Sequence, residues 1–364
     1  MILLLHLWLQ IRDDVRPEVP EAVAKMHDAG VQVMMVTGDV IDTAKAIAKD
    51  AGLITSESDI AMSAIDFDAL SDEEAKEKLP YIKVIARATP NTKLRIVRLA
   101  QELGLCVGMT GDGTNDAPAL KAADVGFSMG SGTDVCKEAG DIIITDDNFV
   151  SITDAVLLGR TFMHNIMMFL EFQLPINFAL LILSIIYPMI AGTALLASVQ
   201  ILIVNIIMDS LNSLSFGGEP PKDEYMAEKP IKKGIWVVYS WSKRSNRIKY
   251  GSIYYSVWNF DGTFSRRKRR INCKICPVCF MAVFNGFCIR TDKLNLLSGI
   301  GKNKLFGYIA AGIFAGTVLL CSIAGNLIKT IPLAPIQWLT VIGLAFMVVP
   351  VDLVRKIANK RRRK

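Results

Sequence analysis

The sequence predicts a parallel α/β domain followed by a bundle of membrane-spanning α-helices. Three observations support this division: short β-rich runs alternate with helical patterns between Val31 and Ile144, acidic residues concentrate before residue 160, and four long apolar segments follow Arg160. Strands that alternate with helices are typical of a parallel sheet. Apolar segments of about 20 residues are long enough to cross a bilayer.

The elements of the α/β part follow one another regularly along the chain. The strands are predicted in "VQVMMVTGD", "KVIARATP", "LCVGMTGDG", "GFSMG" and "DIIITDD", and the helices in "TAKAIAKDAGL", "NTKLRIVRLAQELG" and "APALKAADV". Binding sites of parallel sheets lie at the carboxyl ends of the strands. Asp39, Lys93 and Asp112 each follow a strand closely, and we therefore expect them to converge on one crevice.

The stretch "TGDGTNDAPALK", Thr110 to Lys121, carries the most specific chemistry. Hard oxygen ligands suit Mg²⁺, the glycines admit a close approach of backbone to a phosphate, and a helix start favours anions. Lys93 would neutralise a phosphoryl oxygen and Thr37 would hydrogen-bond another, as phosphoryl transfer requires. For "TGD" alone, an ordinary turn is an equally good interpretation.

Four segments after Arg160 predict membrane helices, at residues 165–192, 194–218, 305–328 and 335–354. Lysines follow the second segment, and the chain ends "KRRRK". Positive charge marks the cytoplasmic side, so both ends of this even set of crossings should lie there with the α/β domain. The basic runs Arg266–Arg270 and Lys360–Lys364 therefore indicate a bilayer as partner rather than a nucleic acid.

Amide and carboxylate groups inside these segments are candidate ion ligands. Asn205 and Asp209 are spaced i, i+4, which places them on one helical face, and Asn177 follows the helix-disturbing Pro175. Oxygen ligands from two helices suit a hard cation such as Ca²⁺, which takes at least six oxygens. The alternative is that Asn205 and Asp209 make polar contacts between helices.

The segment from about Trp236 to Phe280 fits neither half, because it is rich in aromatic, serine and basic residues. It is interpreted either as a basic cytoplasmic loop or as the product of two compensating frame changes. Its "CKICPVC" lacks the second pair of ligands that a zinc site requires, so no zinc is predicted. The apolar start, Met1 to Gln10, suggests a buried strand or an out-of-frame leader.

"TGDGTNDAPALK" closely resembles the phosphorylation domain of the P-type cation-transporting ATPases, which has a haloacid-dehalogenase-like fold. The pieces "DDVRPEV", "VTGD", "ARATPNTK" and "VGFSMGSGTDVCKEAGDIIITDDNF" agree with that family in order, and the resemblance is continuous from Ile11 to Lys233. It implies Mg²⁺ as cofactor and ATP as substrate. The implied roles are metal ligation for Asp112 and Asp116, phosphate contacts for Thr37, Lys93 and Asn115, and a nucleotide-side hinge for Gly38 and Asp39.

The membrane part resembles the fifth and sixth helices of calcium-pumping members of this family, in "FLEFQLPIN" and "VNIIMDSLNSLSFGGEPP". The resemblance places Asn177, Asn205 and Asp209 at ion-binding positions. Leu180 is apolar where two-site calcium pumps have a glutamate. This implies a single Ca²⁺ site, as in the plasma-membrane type, and an integral protein of the plasma membrane.

The resemblance also implies parts that these 364 residues do not contain: an aspartyl-phosphate motif "DKTGT", a nucleotide-binding domain, an actuator "TGE" loop and four earlier helices. We therefore expect transport activity only if another polypeptide supplies them. The alternative is a non-catalytic membrane remnant or pseudogene product that keeps the fold. The predicted divisions are a leader at 1–10, a partial phosphorylation domain at 11–160, helices five and six at 161–235, the anomalous segment at 236–285, and helices nine and ten with the tail at 286–364.

Overall fold

The computed structural model describes residues 14–192, 194, 196–206, 210–230, 275–291, 293–323 and 333–362. These residues form two compact units. The first contains the residues up to Arg160 and a segment that starts at Lys222, and the second contains Thr161 to Pro221 and the C-terminal helices.

The first unit is the predicted α/β domain. Its described strands are β1 (Met35–Val36), β2 (Ile60–Ser63), β3 (Ile82–Ala86), β4 (Gly108–Gly111), β5 (Val125–Met129) and β6 (Ile142–Ile144). Its helices are α1 (Val19–Asp28), α2 (Ile41–Asp50), α3 (Ala64–Asp68), α4 (Asp72–Lys78), α5 (Pro90–Glu102), α6 (Ala117–Ala122) and α7 (Asp134–Ala139). The strands and helices predicted from the sequence are confirmed, although β1 is shorter than "VQVMMVTGD" suggests.

All described strand pairs are parallel. The strands lie in the orders β1-β3-β2 and β4-β5-β6, with Met35 opposite Val84 and Thr110 opposite Phe127. Every parallel neighbour requires a crossover connection, and the helices between the strands supply it. Within each of these two sheets, the strands therefore bring their carboxyl ends, and the residues that follow them, to one edge.

Apolar clusters cover both faces of the β1-β3-β2 sheet. Ile85 of β3 packs with Phe67 and Leu99, from α3 and α5, while Val84 packs with Ala44 of α2. A strand buried on both faces is largely apolar, and β3, "IKVIA", is apolar except at the half-buried Lys83. This two-sided core anchors the loops at the strand ends.

The second unit is helical, and the long helix that leads into it begins in the first unit. Its described helices are α8 (Phe149–Ala191), α9 (Ser198–Ile206), α10 (Asn212–Gly217), α11 (Ile275–Arg290), α12 (Lys304–Ile323), α13 (Pro335–Phe346) and α14 (Val348–Arg362). Pro175 and Pro188 both lie inside α8.

A chain of aromatic rings runs through the core of the helical unit. Phe172 of α8 lies 5.6 Å from Phe216 of α10, and Phe216 lies 5.9 Å from Phe306 of α12, between ring centroids. Phe287 of α11 meets Phe306 edge to face at 5.0 Å. Such ring pairs stabilise a core beyond the area they bury.

Three described helical stretches are long and apolar enough to cross a membrane: Phe149–Ile190, Lys304–Ile323 and Pro335–Ala358. They correspond to the first, third and fourth predicted spans. The second predicted span, 194–218, contains α9 and α10, and residues 207–209 between them lie outside the described residues. Helix α11 crosses the predicted division at 285/286. Trp236 to Ile271, most of the anomalous segment, and the leader Met1–Gln10 also lie outside the described part.

Candidate active site

The glycine-rich loop begins where β4 ends, at Gly111, and finishes at Asp116, the residue before α6. Asp112 and Asn115 are exposed, whereas Asp116 is buried with 6% of its surface accessible. Within the described residues, the side chains of Asp112 and Asn115 make no hydrogen bond. Their oxygens are therefore available to a ligand.

Gly111 makes room for the buried Asp116. A Cβ added at Gly111 would overlap the Asp116 Cβ and lie 2.9 Å from both its Cγ and Oδ2, so only glycine fits without a shift. A Cβ at Gly113, by contrast, would find its nearest neighbour at 3.9 Å. The first glycine of "GDG" thus fixes where the Asp116 carboxylate sits.

Lys93 and Asp116 form an ion pair across the crevice. Lys93 Nζ, on α5, donates to Asp116 Oδ1 over 2.5 Å, and the two side chains are 17% and 8% exposed. A short bond between ionised partners is stronger than a neutral one. The structure therefore joins two residues that lie 23 positions apart in the sequence.

Thr37 and Asp39 form a second pair after β1. Thr37 Oγ1 donates to Asp39 Oδ2 over 2.9 Å, and the Asp39 amide donates back to Thr37 Oγ1 over 3.1 Å. Backbone bonds from Ala88 N to Thr37 O and from Arg87 N to Asp39 O fasten this turn to the end of β3. Gly38 and Asp39 are exposed, as a hinge beside a bound nucleotide would need to be.

A third loop, for which the sequence alone predicts no role, packs on the glycine-rich loop. The Thr133 amide donates to Asp112 O over 2.9 Å, and a Cβ at Gly132 would lie 2.9 Å from that same oxygen. The side chain of Thr133 also caps α7 by accepting from Cys136 N. The glycine pair in "MGSGTD" could have indicated this loop, because glycines occur where two backbones approach closely.

Cys136 lies behind this loop and is fully buried. Burial, followed by the negative charges of Asp116 and Asp112, raises the pKa of its thiol above the usual value. A thiol with a raised pKa is a poor nucleophile. Cys136 is therefore a packing residue of the site.

The donors present fit Mg²⁺. This ion is usually held by one or two carboxylates together with water and phosphate oxygens, rather than by a full protein cage. The described residues contain no cluster of three or more His, Cys, Asp or Glu side chains around one point, and the exposed Asp112 carboxylate is available. Lys93 occupies Asp116 Oδ1, which leaves Oδ2 beside the loop.

The membrane residues predicted to bind Ca²⁺ are described only in part. Asn177 is exposed on α8, and Asn205 is half-buried on α9. Asp209 lies outside the described residues. The pairing of Asn205 with Asp209 remains a prediction.

The helical unit also holds a buried polar cluster that is not predicted from the sequence. Glu219 Oε1 accepts from Asn303 Nδ2 over 2.9 Å and lies 3.5 Å from Arg290 Nη1. Arg290 donates further to the carbonyls of Leu296 and Ser298. Buried charged residues are nearly always paired. The charged residues at the ends of the apolar segments could therefore have indicated this cluster.

Comparisons with known proteins agree with both units. A family model described as "Cation transporting ATPase, C-terminus" matches residues 193–358, and one described as "haloacid dehalogenase-like hydrolase" matches residues 6–124. The chain is 38% identical over 360 residues to a probable calcium-transporting ATPase 8, plasma membrane-type, of Oryza sativa subsp. japonica. It is 36% identical over 365 residues to calcium-transporting ATPase 9, plasma membrane-type, of Arabidopsis thaliana.

These alignments cover 95% of this chain and 34–35% of the relatives, so the chain spans about a third of their length. The candidate spans and the plasma-membrane-type relatives support the predicted location, an integral protein of the plasma membrane. On these grounds the chain is similar to the P-type cation-transporting ATPases, and in particular to their plasma-membrane-type calcium-transporting members.

Proposed function

We propose that this chain forms the Mg²⁺ and phosphate side of the phosphorylation site, together with part of the ion pathway, of an ATP-driven Ca²⁺ transporter. The observation that carries this proposal is the ion pair of Lys93 with Asp116, held beside the exposed Asp112 by Gly111. In this arrangement Asp112 is the direct Mg²⁺ ligand. Asp116 supports the metal chiefly by orienting Lys93 towards a phosphoryl oxygen.

Bound Mg²⁺ would neutralise phosphate charge during phosphoryl transfer. Thr37 Oγ1 would hold one phosphoryl oxygen and the Asn115 amide another, while Lys93 would stabilise negative charge as it develops. Gly38 and Asp39 would let the turn after β1 adjust to ATP. Each of these residues lies in the loop after a parallel strand or at the start of the following helix, where binding sites of parallel sheets are expected.

Moving Ca²⁺ outward requires this coupling to ATP. Against ~100 mV, the two charges of Ca²⁺ cost about 4.6 kcal/mol, and a ~10⁴-fold gradient adds roughly 5.6 kcal/mol. Asn177, Asn205 and Asp209 would supply oxygens to the transported ion. The apolar Leu180 supports a single site, because in this structure it packs against buried side chains of the helical unit.

We further propose that the chain hydrolyses ATP only together with a polypeptide that carries the aspartyl nucleophile. The test is to co-express such a polypeptide and measure Ca²⁺-dependent ATP hydrolysis and ⁴⁵Ca uptake in sealed vesicles. Asp112→Asn should abolish both activities, whereas Asp28→Asn, an exposed carboxylate on α1, should leave them unchanged. Equal activity of both variants would refute the role of Asp112.

A second measurement separates a transporter part from a remnant that keeps only the fold. Mn²⁺, used as a paramagnetic substitute for Mg²⁺, is titrated into the full chain and followed by electron paramagnetic resonance. Retained Mn²⁺ binding without any ATP hydrolysis under co-expression would favour the non-catalytic alternative. Loss of Mn²⁺ binding in Asp112→Asn, with activity in the parent chain, would support the transporter.

A further inference from the structure

Helices α11 and α12 pack against each other in opposite directions, and three contacts establish their alignment. Phe287 meets Phe306 at 5.0 Å, Phe280 stacks on Phe314 at 4.5 Å, and Cys276 Sγ lies 2.9 Å from Cys321 Sγ. Residues nearer the start of α11 therefore contact residues nearer the end of α12. The two cysteines thus form the last contact of this interface, near one end of each helix.

The two sulfur atoms already lie in contact. The Cys276 thiol donates to the Cys321 sulfur over 2.9 Å, and both residues are buried, with 0% and 1% of their surfaces exposed. A disulfide bond is about 2.05 Å long, so bond formation requires a closer approach of the two sulfurs. Cys279, one turn along α11, is also buried but is not the residue aligned with Cys321.

We propose that Cys276 and Cys321 form a disulfide that links the start of α11 to the end of α12. The oxidant is a small neutral peroxide, because the buried sulfurs exclude larger disulfide reagents. One thiolate attacks a peroxide oxygen, giving a sulfenic acid and water, and the second sulfur then displaces the sulfenic hydroxyl as water. Both thiol hydrogens and two electrons leave the cysteines, and one hydrogen peroxide is reduced to two waters.

The experiment uses the full chain in membranes, treated either with hydrogen peroxide or with a phosphine reductant. Remaining thiols are alkylated under denaturing conditions, and peptides are analysed without reduction. The expected product is the peptide of Cys276 joined to that of Cys321, lighter than their sum by two hydrogens and released by dithiothreitol. This measurement on the parent chain does not depend on any variant folding correctly.

Three variants sharpen the assignment. Cys276→Ser and Cys321→Ser should each eliminate the linked peptide, whereas Cys279→Ser should form it to the same extent as the parent chain. Full alkylation of both Cys276 and Cys321 after peroxide treatment would overturn the proposal. A link from either of them to another of the seven cysteines would overturn it as well.

Discussion

At the scale of single residues, the geometry of the glycine-rich loop depends on the absence of a Cβ atom at Gly111. Gly111 allows the carboxylate of Asp116 to lie against the end of β4, where Lys93 reaches it. The loop therefore combines a buried, paired carboxylate with an exposed one at Asp112. This arrangement suits a site in which the Asp116 carboxylate positions the Lys93 ammonium group and the Asp112 carboxylate accepts a cation from solution.

Replacing Gly111 with alanine should destabilise the α/β domain and weaken metal binding. The new Cβ would overlap Asp116, and overpacking of this kind costs about 1 to 3 kcal/mol. We expect a lower melting temperature of the full chain in detergent, together with weaker Mn²⁺ binding.

Gly113→Ala is the matched control, because its Cβ would meet no atom closer than 3.9 Å. It should melt close to the parent temperature. Equal melting temperatures of the two alanine variants would show that the close approach at Gly111 has no energetic consequence.

Asp59 should make the stability of the α/β domain depend on pH. Its Oδ2 accepts the backbone amides of Thr55 and Ser56, each over 2.8 Å, and the Thr55 amide foremost lowers the pKa of this carboxyl below its usual 3.8. A carboxyl with a depressed folded-state pKa stabilises the fold above its unfolded pKa. That stabilisation disappears as the pH falls through the folded-state value.

The parent chain should therefore be more stable than Asp59→Asn at pH 6, by about 1 kcal/mol. The difference should shrink once the pH drops below about 4. Thermal unfolding at pH 6, 4 and 3 measures it, with the exposed Glu57→Gln as control. A difference that stays constant over this range would show that ionisation of Asp59 is not the cause.

At the scale of elements, caps and clamps determine where helices begin and how loops are held. Ser71 and Glu74 form a reciprocal capping box at the start of α4. Arg160 clamps the segment that begins at Lys222. Its Nη1 donates to the carbonyls of Tyr225 and Glu228 over 2.8 and 2.7 Å, and its Nη2 donates to Ala29 O over 2.6 Å.

Replacing Arg160 with lysine should release this segment. A lysine ammonium concentrates its donors at one point, whereas the planar guanidinium reaches carbonyls on two sides. A loss of about 2 kcal/mol corresponds to roughly thirtyfold faster local opening. Limited trypsin digestion after Lys222 should accelerate accordingly.

Arg98→Lys, an exposed change on α5, provides the control and should leave the cleavage rate unaltered. Unchanged cleavage in Arg160→Lys would mean that the hydrogen bonds of Arg160 do not hold the segment. Faster cleavage in both variants would indicate a general loss of stability instead.

At the scale of the whole molecule, the chain should resist extraction from membranes with alkaline carbonate. The three candidate spans bury enough apolar surface to keep it in the bilayer. The distribution of basic residues further predicts that the α/β domain and the C-terminal tail lie on the same side.

Epitope tags inserted in the exposed turn at Ser56–Ser58 and after Lys364 test this topology. A protease added to one side of sealed vesicles should digest both tags together. Protection of one tag while the other is lost would require an odd number of crossings and would refute the predicted arrangement. Release of the chain by carbonate would contradict membrane insertion itself.

The sequence by itself determined the division into an α/β part and an apolar helical part. Periodicity and composition are properties of short stretches of the chain, so they can be recognised without knowing which residues meet in the fold. The motif "TGDGTNDAPALK" also predicted which residue types surround the glycine-rich loop. Helices α1, α3, α4 and α7 and strand β2 were not singled out, although the capping pattern Ser71-x-x-Glu74 would have indicated α4.

Only the tertiary structure decided which of these groups meet. The pair of Lys93 with Asp116, the contact of Thr133 with Asp112 and the cluster around Glu219 all join residues far apart in the chain. The physical reason is that a parallel sheet and a helix bundle align elements through packing of many apolar side chains at once. The spacing of residues along the sequence does not specify that register. The distances between side chains are therefore set only when the core is assembled.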